Sequence, residues 1–370
     1  MEFVVRKNDL LRELQLFQGI VERKNTIPIL ANVLIEATED SLRLLATDLE
    51  VGLRSQCDAK VAKPGSLTVP AKKFYEIVKS LPDTEIRLVE DKNGVKISAD
   101  RFDSRIQTLP REDFPTLPEW SRSNGTTLPG AGLKEMVAKT QFAITGEDTR
   151  YFLNGALFVI RPDSMSLVAT DGHRLALVTV PREGHSNGSA DEDRPILPKK
   201  TLGELGRLLT DGESDVQFER GENHLFFGVG GRTLISRMID GQFPAYERVI
   251  PKGNDKHIEF ERDRLTNAVK RVALMSNERS RAVKFQLEKG RVDITSSSPD
   301  LGDAHEELPV DYTGGSMQIC FNAQYVLDFL AAVSTDVVSL DLKDEVSQAV
   351  VKPVGAEGYD YTYVIMPMRV

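Results

Sequence analysis

Leu45-Ala46-Thr47-Asp48 recurs as Val168-Ala169-Thr170-Asp171, 123 positions further along the chain. A recurrence at a fixed period indicates a repeated fold, and this period fits three times into the 370 residues. Other signals return in the same order at nearly the same spacing, namely Val69-Pro70-Ala71-Lys72-Lys73, Leu197-Pro198-Lys199-Lys200 and Phe321-Asn322-Ala323, and then Phe114-Pro115 and Phe243-Pro244. The sequence therefore predicts three homologous domains, at residues 1–122, 127–248 and 249–370.

Each third has the same predicted order of helix, strands, helix and strands, which is an α+β plan of two helices packed on antiparallel sheets. Apolar residues at three-and-four spacing predict helices over Asp9–Glu22, Ala71–Leu81, Leu133–Ile144, Lys199–Leu209, Leu265–Met275 and Ala323–Val333. Asn8 or Asp9 is the predicted cap of the first helix. Strands are predicted at residues 41–46, 95–99, 166–169 and 225–229, linkers at 121–125 and 251–255, and a surface loop at 183–193.

The composition describes a soluble, mildly acidic protein. Lys and Arg number 47 against 56 Asp and Glu, which gives a net charge of −9, and 40% of residues are hydrophobic. No window approaches the roughly 20 uncharged apolar residues that span a bilayer, and the first residues lack a signal-peptide layout. We therefore expect a cytoplasmic protein that does not contact membranes. The two cysteines, Cys57 and Cys320, are too few for a disulfide framework or a zinc site, so both are expected to be structural thiols.

The charge is unevenly distributed along the chain. Six slightly wider windows around the predicted helices sum to +8, so the remainder of the chain carries −17; these windows are residues 7–24, 70–81, 132–145, 198–210, 262–275 and 322–334. If the helices share one face, that face attracts a polyanion while the acidic remainder repels contact elsewhere. The alternative is that Lys and Arg only decorate solvated helix surfaces. No zinc-finger spacing, helix-turn-helix pair or aromatic platform is visible, so any nucleic acid would be bound through its phosphates without reading sequence.

The sequence offers no convincing active site. Thr170-Asp171-Gly172-His173-Arg174 could suggest a hydrolase that uses Asp171 and His173, but no nucleophile or further metal ligand accompanies it, and a tight turn is the simpler interpretation. Gly228-Val229-Gly230-Gly231 lacks the pattern of a phosphate loop and is read as a β-turn. We expect no catalytic residue, no metal and no cofactor.

The chain ends on an unusually apolar segment, Tyr363-Val364-Ile365-Met366-Pro367-Met368-Arg369-Val370. Termini are more often polar and loose, so something should cover this one. Two interpretations are equally open from the residues alone: a last strand packed inside the third domain, or a methionine-lined groove that accepts partner peptides.

Several segments together resemble one family. Ala169 to Leu175 reads Ala-Thr-Asp-Gly-His-Arg-Leu, Phe243 to Val249 reads Phe-Pro-Ala-Tyr-Glu-Arg-Val, and the chain ends with Met-Pro-Met-Arg before its last residue. Together with residues 26–30 and 150–155, they resemble the bacterial sliding clamp, the beta subunit of DNA polymerase III. The resemblance covers the whole chain.

The resemblance implies a processivity factor of DNA replication with no enzymatic activity of its own. Such clamps are head-to-tail homodimers whose six domains close a ring around duplex DNA, with helices lining the hole and sheets forming the outer wall. Residues implied to face DNA are Arg23, Lys24, Lys72, Lys73, Arg150, Tyr151, Phe152, Lys199 and Lys200. An alternative is a repeat-built scaffold that binds peptides without encircling DNA.

The resemblance also implies a peptide pocket between the second and third domains, which binds a short motif of the form Gln-Leu-x-Leu-Phe. The replicative polymerase alpha subunit, the clamp loader and other clamp-motif proteins would compete for this pocket. Matching positions are Leu153, Thr170, Gly172, His173, Arg174, Leu175, Pro244, Arg248, Val249, Asn322, Tyr325, Val346, Val364, Met366, Pro367, Met368 and Arg369.

Two positions depart from the family pattern. Ser280 stands where many relatives place an aromatic near the pocket rim. At the implied dimer interface Leu274 and Met275 match in type, whereas Ser104 stands in place of an aromatic. We therefore expect a changed rim contact and a differently packed interface.

Overall fold

The computed structural model describes residues 1–21, 26–92, 94–122, 125–146, 148–182, 193–210 and 215–369. The α-helices of this part of the chain are α1 (Lys7–Ile20), α2 (Ala71–Ser80), α3 (Gly130–Thr140), α4 (Lys199–Leu208), α5 (Arg262–Ala273) and α6 (Ala323–Ala332). The predicted loop at 183–193 lies outside the described residues, except for Asp193. No helix of the described residues is long and apolar enough to cross a membrane.

Contacts divide the chain into two compact units. The first comprises the described residues within Met1–Ala131 and Lys200–Met238. It holds a five-stranded sheet in the order β5-β1-β7-β8-β9 and an eight-stranded sheet in the order β10-β15-β16-β17-β4-β3-β2-β6. Their bounds are β1 (Glu2–Arg6), β2 (Asn32–Thr38), β3 (Ser41–Thr47), β4 (Val51–Asp58), β5 (Lys60–Lys63), β6 (Gly65–Pro70), β7 (Glu85–Asp91), β8 (Gly94–Ala99), β9 (Phe102–Gln107), β10 (Thr126–Leu128), β15 (Val216–Arg220), β16 (His224–Val229) and β17 (Arg232–Arg237).

The second unit comprises the described residues within Gly132–His185, Ala190–Lys199 and Ile239–Val370. It holds an eight-stranded sheet in the order β14-β11-β12-β13-β25-β24-β23-β18 and a four-stranded sheet in the order β21-β20-β19-β22. Their bounds are β11 (Gly155–Ile160), β12 (Ser164–Thr170), β13 (Arg174–Pro181), β14 (Ile196–Pro198), β18 (Lys256–Glu261), β19 (Ala282–Glu288), β20 (Arg291–Ser298), β21 (Gly302–Pro309), β22 (Met317–Asn322), β23 (Val337–Leu342), β24 (Ala349–Pro353) and β25 (Asp360–Ile365).

Each eight-stranded sheet combines strands from two consecutive thirds of the chain, which pair at their edges. In the first unit β17 pairs antiparallel with β4, with Ile235 opposite Gly52. In the second unit β25 pairs antiparallel with β13, with Val364 opposite Leu175. The middle third therefore contributes one half of its strands to each unit.

A buried charged residue lies at each of these junctions. Glu13 of α1 accepts two hydrogen bonds from Arg232 of β17, at 2.7 and 2.6 Å. Burial alone would raise the pKa of Glu13, but the hydrogen bonds and charge of Arg232 lower it overall. In the second unit, the buried Lys139 of α3 donates to the carbonyl of Ala332 at the end of α6, at 2.9 Å.

The helices bury the apolar faces that their spacing predicts. Leu10, Leu14, Phe17 and Ile20 of α1 are buried, as are Leu265, Ala268, Val269 and Val272 of α5. Each Val, Leu, Ile or Phe side chain among them contributes roughly 1.5–3 kcal/mol when fully removed from water. The predicted cap of α1 was wrong. The helix begins at Lys7, directly after β1, and its flanking residue Arg6 makes no side-chain cap. Asn8 instead donates to the Asp83 carboxylate at 2.8 Å.

The repeated Ala-Thr-Asp segment forms the same turn twice. Thr47 Oγ1 donates to the Val51 carbonyl and accepts from Leu49 N, and Asp48 Oδ1 accepts from Glu50 N and Val51 N. In the second unit Thr170 and Asp171 make the four matching hydrogen bonds, at 2.6 to 3.1 Å. The repeat is thus explained physically: a Thr hydroxyl and an Asp carboxylate close the hairpin turn.

The residue after the Asp has a left-handed backbone in both turns. Gly172 has φ +87° and Leu49 has φ +80°. The tight turn predicted at residues 170–174 is confirmed. The β-turn predicted at Gly230-Gly231 is also confirmed, since both glycines have positive φ between β16 and β17.

Candidate functional site

Arg174 is the organising side chain beneath the predicted pocket. It is the first residue of β13, and its side chain is only 9% exposed. Its Nε donates to Asp171 Oδ2 at 3.1 Å, Nη1 to Asp328 Oδ2 at 2.5 Å and Nη2 to the Phe142 carbonyl at 2.7 Å. Every nitrogen of the guanidinium therefore donates a hydrogen bond within the chain, and the group fixes the turn that carries Gly172 and His173.

Aromatic rings surround the same guanidinium. Its carbon lies 4.3 Å from the ring centre of Tyr325 and 5.3 Å from that of Phe142. Burial alone would lower the pKa of Arg174, but Tyr363 and Asp328 raise it overall. Burial also raises the pKa of Tyr325. Arg174 stays charged and stacked, so it holds Tyr325 in place.

The C-terminal segment continues from β25 toward this turn. Met366 N donates to the His173 carbonyl at 2.9 Å, and Met368 N donates to the Cys320 carbonyl at 2.8 Å. The side chain of Met366 is 41% exposed. The first interpretation is confirmed for Tyr363 to Ile365, which lie in a buried last strand. The residues after it run along the surface of the unit, and a groove that accepts partner peptides stays a prediction.

An apolar cluster is formed by residues of β11, β12, β13, β14, β24 and β25 and of the segment around Phe243. Its buried members are Leu157, Val159, Val168, Leu175, Ile196, Phe243, Tyr246, Val350 and Val364, with Phe152, Leu177, Ile239 and Ile250 packed against it. Residues close to its members along the chain are exposed, including Val249 at 37% and Val346 at 64%. Apolar side chains of this kind, exposed beside a buried cluster, are typical of a peptide-binding surface.

The remaining predicted pocket residues differ in how far they can contact a ligand. Leu153 and Thr170 are buried, whereas Gly172, His173, Pro244, Arg248 and Arg369 are exposed and Pro367 and Met368 are half-buried. Asn322 is half-buried and caps α6, with its Oδ1 accepting from Gln324 N at 2.9 Å. All 17 predicted pocket residues belong to the second unit.

Sequence reasoning missed Asp328 and Phe142. Asp328 receives Arg174 on one carboxylate oxygen and Gln324 on the other, the second at 2.7 Å. The four-residue spacing of Gln324 and Asp328 on α6 was the available signal for that pair. Nothing in the sequence indicates the contact of Asp328 with Arg174, which lies in another third of the chain.

Arg150, Tyr151 and Phe152, predicted to face DNA, lie beside the same turn. Arg150 donates to the Asp171 carbonyl at 3.4 Å and pairs with Asp148 at 2.7 Å, which lowers the pKa of Asp148 to about 2. Tyr151 is 55% exposed, and Phe152 packs against the apolar cluster. The three residues thus border the predicted peptide pocket.

The predicted DNA-facing lysines fall into two groups. Lys72 and Lys73 are exposed on the first turn of α2 and pair with Glu76. Lys199 Nζ donates to the Ile144 carbonyl at 2.9 Å, and Lys200 Nζ donates to the Ile20 carbonyl at 3.0 Å and to Asp48. The second pair therefore also stabilises the ends of neighbouring helical segments. Arg23 and Lys24 lie outside the described residues.

The residues predicted at the dimer interface lie in different units. Leu274 follows α5 and is 75% exposed, and Met275 beside it is half-buried. Ser104 is half-buried on β9, an edge strand of the five-stranded sheet. Two residues before it, Phe102 points to the same face of β9 and is 39% exposed.

The geometry gives no support to the alternative of a hydrolase that uses Asp171 and His173. The Asp171 carboxylate is occupied by Arg174 and by two backbone N–H groups of its own turn. Among the described residues, no group of three or more His, Cys, Asp and Glu side chains could hold a metal ion. Cys57 and Cys320 are buried free thiols, and burial raises the pKa of Cys57 to about 12. Both thiols are therefore unreactive at neutral pH.

Comparison with known proteins identifies the class. Three domain models of the DNA polymerase III beta subunit match in succession: the N-terminal domain over residues 1–118, the central domain over 127–245 and the C-terminal domain over 247–369. The chain therefore belongs to the family of bacterial beta sliding clamps, the beta subunits of DNA polymerase III. The implied family and its three-domain α+β fold are confirmed, and the family name describes an accessory subunit rather than an enzyme.

Individual relatives match over their whole length. The beta sliding clamps of Pseudomonas putida and Escherichia coli K12 are 40% and 37% identical, and each alignment covers 100% of both chains. Among solved structures, the Pseudomonas aeruginosa DnaN sliding clamp bound to griselimycin matches with a TM-score of 0.93 at 38% identity, and a Caulobacter crescentus beta sliding clamp with 0.91 at 37%. Both structural matches also cover 100% of each chain.

Proposed function

We propose that this protein is a processivity factor of DNA replication: a cytoplasmic homodimeric ring that encircles duplex DNA and tethers the polymerase. The observation that carries the proposal is the match to beta sliding clamps over the whole chain. The domain limits 1–122, 127–248 and 249–370 belong to this proposal. In this proposal, partner proteins bind the peptide pocket named above, the DNA-facing lysines contact duplex DNA, and the dimer interface closes the ring.

The edge strands support closure by a second copy. Within the chain, β17 pairs with β4 and β25 pairs with β13. The strands β4 and β13 are those that follow the two Ala-Thr-Asp hairpin turns. By the same repeat, the corresponding strands left at sheet edges are β9 and β21. Unpaired edges recruit another strand. A head-to-tail dimer would join β9 of one protomer to β21 of the other at two identical interfaces.

The internal junctions also predict the register of this intermolecular pairing. Gly52 and Leu175 are the first residues after their turns that pair with the preceding strand of the same hairpin. Gly302 is the equivalent residue of β21. Gly52 lies opposite Ile235, which precedes Phe243 by as many residues as Ile106 precedes Phe114. Gly302 should therefore lie opposite Ile106.

This register brings together opposite charges along two antiparallel strands. Arg105 falls opposite Asp303, and Arg101, in the turn before β9, falls opposite Glu307. Asp103 falls opposite His305, which completes a charge pair only when its imidazole is protonated. The small residues Ser104 and Ala304 also face each other, so a serine in place of the family's aromatic is compatible with this register. Each opposite-charge pair contributes roughly 0.2–1 kcal/mol.

Cysteine cross-linking tests the dimer and its register together. The Ser104→Cys, Ala304→Cys double variant should form a disulfide-linked dimer on oxidation, with twice the 41.1 kDa monomer mass. The control, Ser104→Cys with His305→Cys, shifts the second cysteine to the opposite face and should cross-link poorly. Light scattering that gave only monomer for the unmodified protein at micromolar concentration would contradict the dimer.

The pocket is tested by peptide binding. A fluorescein-labelled Gln-Leu-x-Leu-Phe peptide should bind the intact chain saturably. It should lose affinity for a chain that lacks Met366 to Val370 and for the Met366→Asp variant. Leu49→Asp is the matched control, because Leu49 is 48% exposed in the equivalent turn of the first unit. Equal binding by all variants would refute the pocket.

Encirclement separates this proposal from a peptide-binding scaffold that does not enclose DNA. With a clamp loader and ATP, the protein should stay on closed circular DNA and slide off after the circle is cut. Equal loss from both forms, with peptide binding intact, would favour the scaffold.

A further inference from the structure

A second groove lies on the sheet that carries the apolar cluster. It encloses about 250 Å³, a little below the roughly 300–1,000 Å³ of pockets that hold a whole small-molecule ligand. Its lining is mostly polar, in contrast to the cluster. The residues that line it are Ile250, Pro251, Lys252, Asn254, Asp341, Val350, Lys352 and Thr362.

The groove is continuous with the predicted peptide pocket. Val350 belongs both to the groove and to the apolar cluster, and it lies directly opposite Val364. Ile250 also lines the groove and packs against the cluster. Lys352 is two residues from Val350 on β24, so both side chains lie on the same face of the sheet. A peptide leaving the cluster along this face would enter the groove.

Two ammonium groups in the groove are available for an anion. Lys252 is exposed and Lys352 half-buried, and neither forms an ion pair with a residue in the described ranges. The one carboxylate of the groove, on Asp341, already bonds His257 Nδ1 at 2.6 Å. The other charged side chains of the groove are both cationic, which favours a ligand with a negative charge.

The groove also holds an unused hydrogen-bond acceptor. Asn254 Nδ2 donates to the carbonyls of Asp341 and Gln348, at 2.8 and 3.1 Å. Its Oδ1 is buried and has no partner among the described residues. Since a buried polar atom without a partner costs roughly 1–3 kcal/mol, a ligand that brings a donor here is favoured. The N–H of an extended peptide is such a donor.

We propose that this groove is an acidic-residue subsite of the peptide pocket. It binds a carboxylate in the segment flanking the apolar motif, with Lys252 and Lys352 holding the charge and Asn254 accepting a backbone N–H. The proposal rests on the peptide pocket of the proposed function. It adds a charge preference that the apolar cluster alone does not provide.

Peptides of graded charge test the subsite. A core Gln-Leu-x-Leu-Phe peptide is compared with versions carrying two Glu residues before it or two after it, and with Gln in place of those Glu residues. One of the two acidic extensions should bind about two- to fivefold more tightly than its Gln version for each ion pair formed. The gain should fall at high salt.

Variants of the two lysines assign the gain to the groove. In Lys252→Gln with Lys352→Gln, the acidic peptide should bind no better than its Gln version. Lys289→Gln, which removes the same charge in the turn between β19 and β20, should keep the gain. Core binding without any gain, or a gain that survives in the double variant, would overturn the subsite alone. Absence of core binding would overturn the pocket and the subsite together.

Discussion

At the scale of single residues, Arg174 illustrates a positioning role inside a binding site. The resemblance implies that it lines the pocket, and the structure gives all its nitrogens to Asp171, Asp328 and the Phe142 carbonyl. Its motif could be recognised from sequence. Its contact with Asp328 could not, because the two residues come together only when β13 and α6 pack in one unit.

Replacing Arg174 by Met should leave two carboxylates without their cation. Removing one member of a buried ion pair costs about 3–5 kcal/mol, and the cavity is nearly filled by Met. Urea unfolding of Arg174→Met measures the loss. Asp328→Asn in the same background should recover part of it, since the second charge is then also removed. Additive losses would exclude direct coupling between the two residues.

Two glycines should respond in opposite directions to alanine. A Cβ on Gly155 would lie 2.4 Å from the Leu197 carbonyl oxygen, which is backbone of the neighbouring strand β14. A Cβ on Gly203 in α4 meets nothing within 4 Å. Gly155→Ala should destabilise by about 1–3 kcal/mol and Gly203→Ala should stabilise by about 1 kcal/mol. Thermal unfolding of both variants tests the contrast, and equal shifts would contradict it.

At the scale of helices and strands, the sequence predicted existence and type well and ends less well. The six helices follow their apolar periodicity because each buries one face. The first one starts at Lys7 because β1 ends at Arg6, so strand geometry outweighs the capping preference of Asn8 and Asp9. The strand partners across thirds were not predictable, since several edges share similar alternation.

The cap of α6 can be separated from peptide binding. Asn322→Ala should lose about 1 kcal/mol of stability, because Gln324 N loses its acceptor. Asn322→Asp keeps the acceptor and removes the amide donor, so it should retain stability. If Asn322 contacts the peptide through Nδ2, Asn322→Asp weakens binding in the polarisation assay. Full binding by Asn322→Asp would limit Asn322 to capping.

The pKa values of two strand histidines are shifted in opposite directions. The Asp341 hydrogen bond raises the pKa of His257, whereas burial, with Arg237 nearby, lowers the pKa of His224. His257 therefore adds stability at low pH that is lost as pH rises through its folded pKa. His224 opposes folding as pH falls below its unfolded value. NMR titration should find His257 protonated at higher pH than His224, and Asp341→Asn should lower the pKa of His257. The reverse order would refute this.

At the scale of the whole molecule, the repeat and the family could be recognised from sequence, whereas the sharing of the middle third could not. Short echoes such as Ala-Thr-Asp survive because a turn needs those side chains. The pairings of β17 with β4 and β25 with β13 depend on backbone edges, which carry no residue code. The helical excess of positive charge was visible, but coordinates were required to separate lysines that pair with a carboxylate of their own helix from lysines that bond backbone carbonyls.

That division makes a prediction about DNA binding. Lys72→Gln and Lys73→Gln should each weaken non-specific DNA affinity and reduce the slope of log affinity against log salt by about 0.9, without loss of stability. Lys200→Gln should lower stability as well, because it loses the Ile20 carbonyl and Asp48. Lys289→Gln, away from the helices, is the control. An unchanged slope in the α2 variants would remove Lys72 and Lys73 from the DNA-facing set.

The shared sheets of the middle third make chain continuity between repeats partly dispensable. Because β17 and β4 are joined by a ladder of hydrogen bonds, as are β25 and β13, neighbouring repeats cohere without the covalent linkers between them. A gene encoding fewer repeats per polypeptide could therefore reach the same number of repeats with more subunits. Termini moved by circular permutation to a linker would leave every sheet complete. A single repeat would need only two complementary edges, equivalent to those of β17 and β4, to assemble head to tail with further copies.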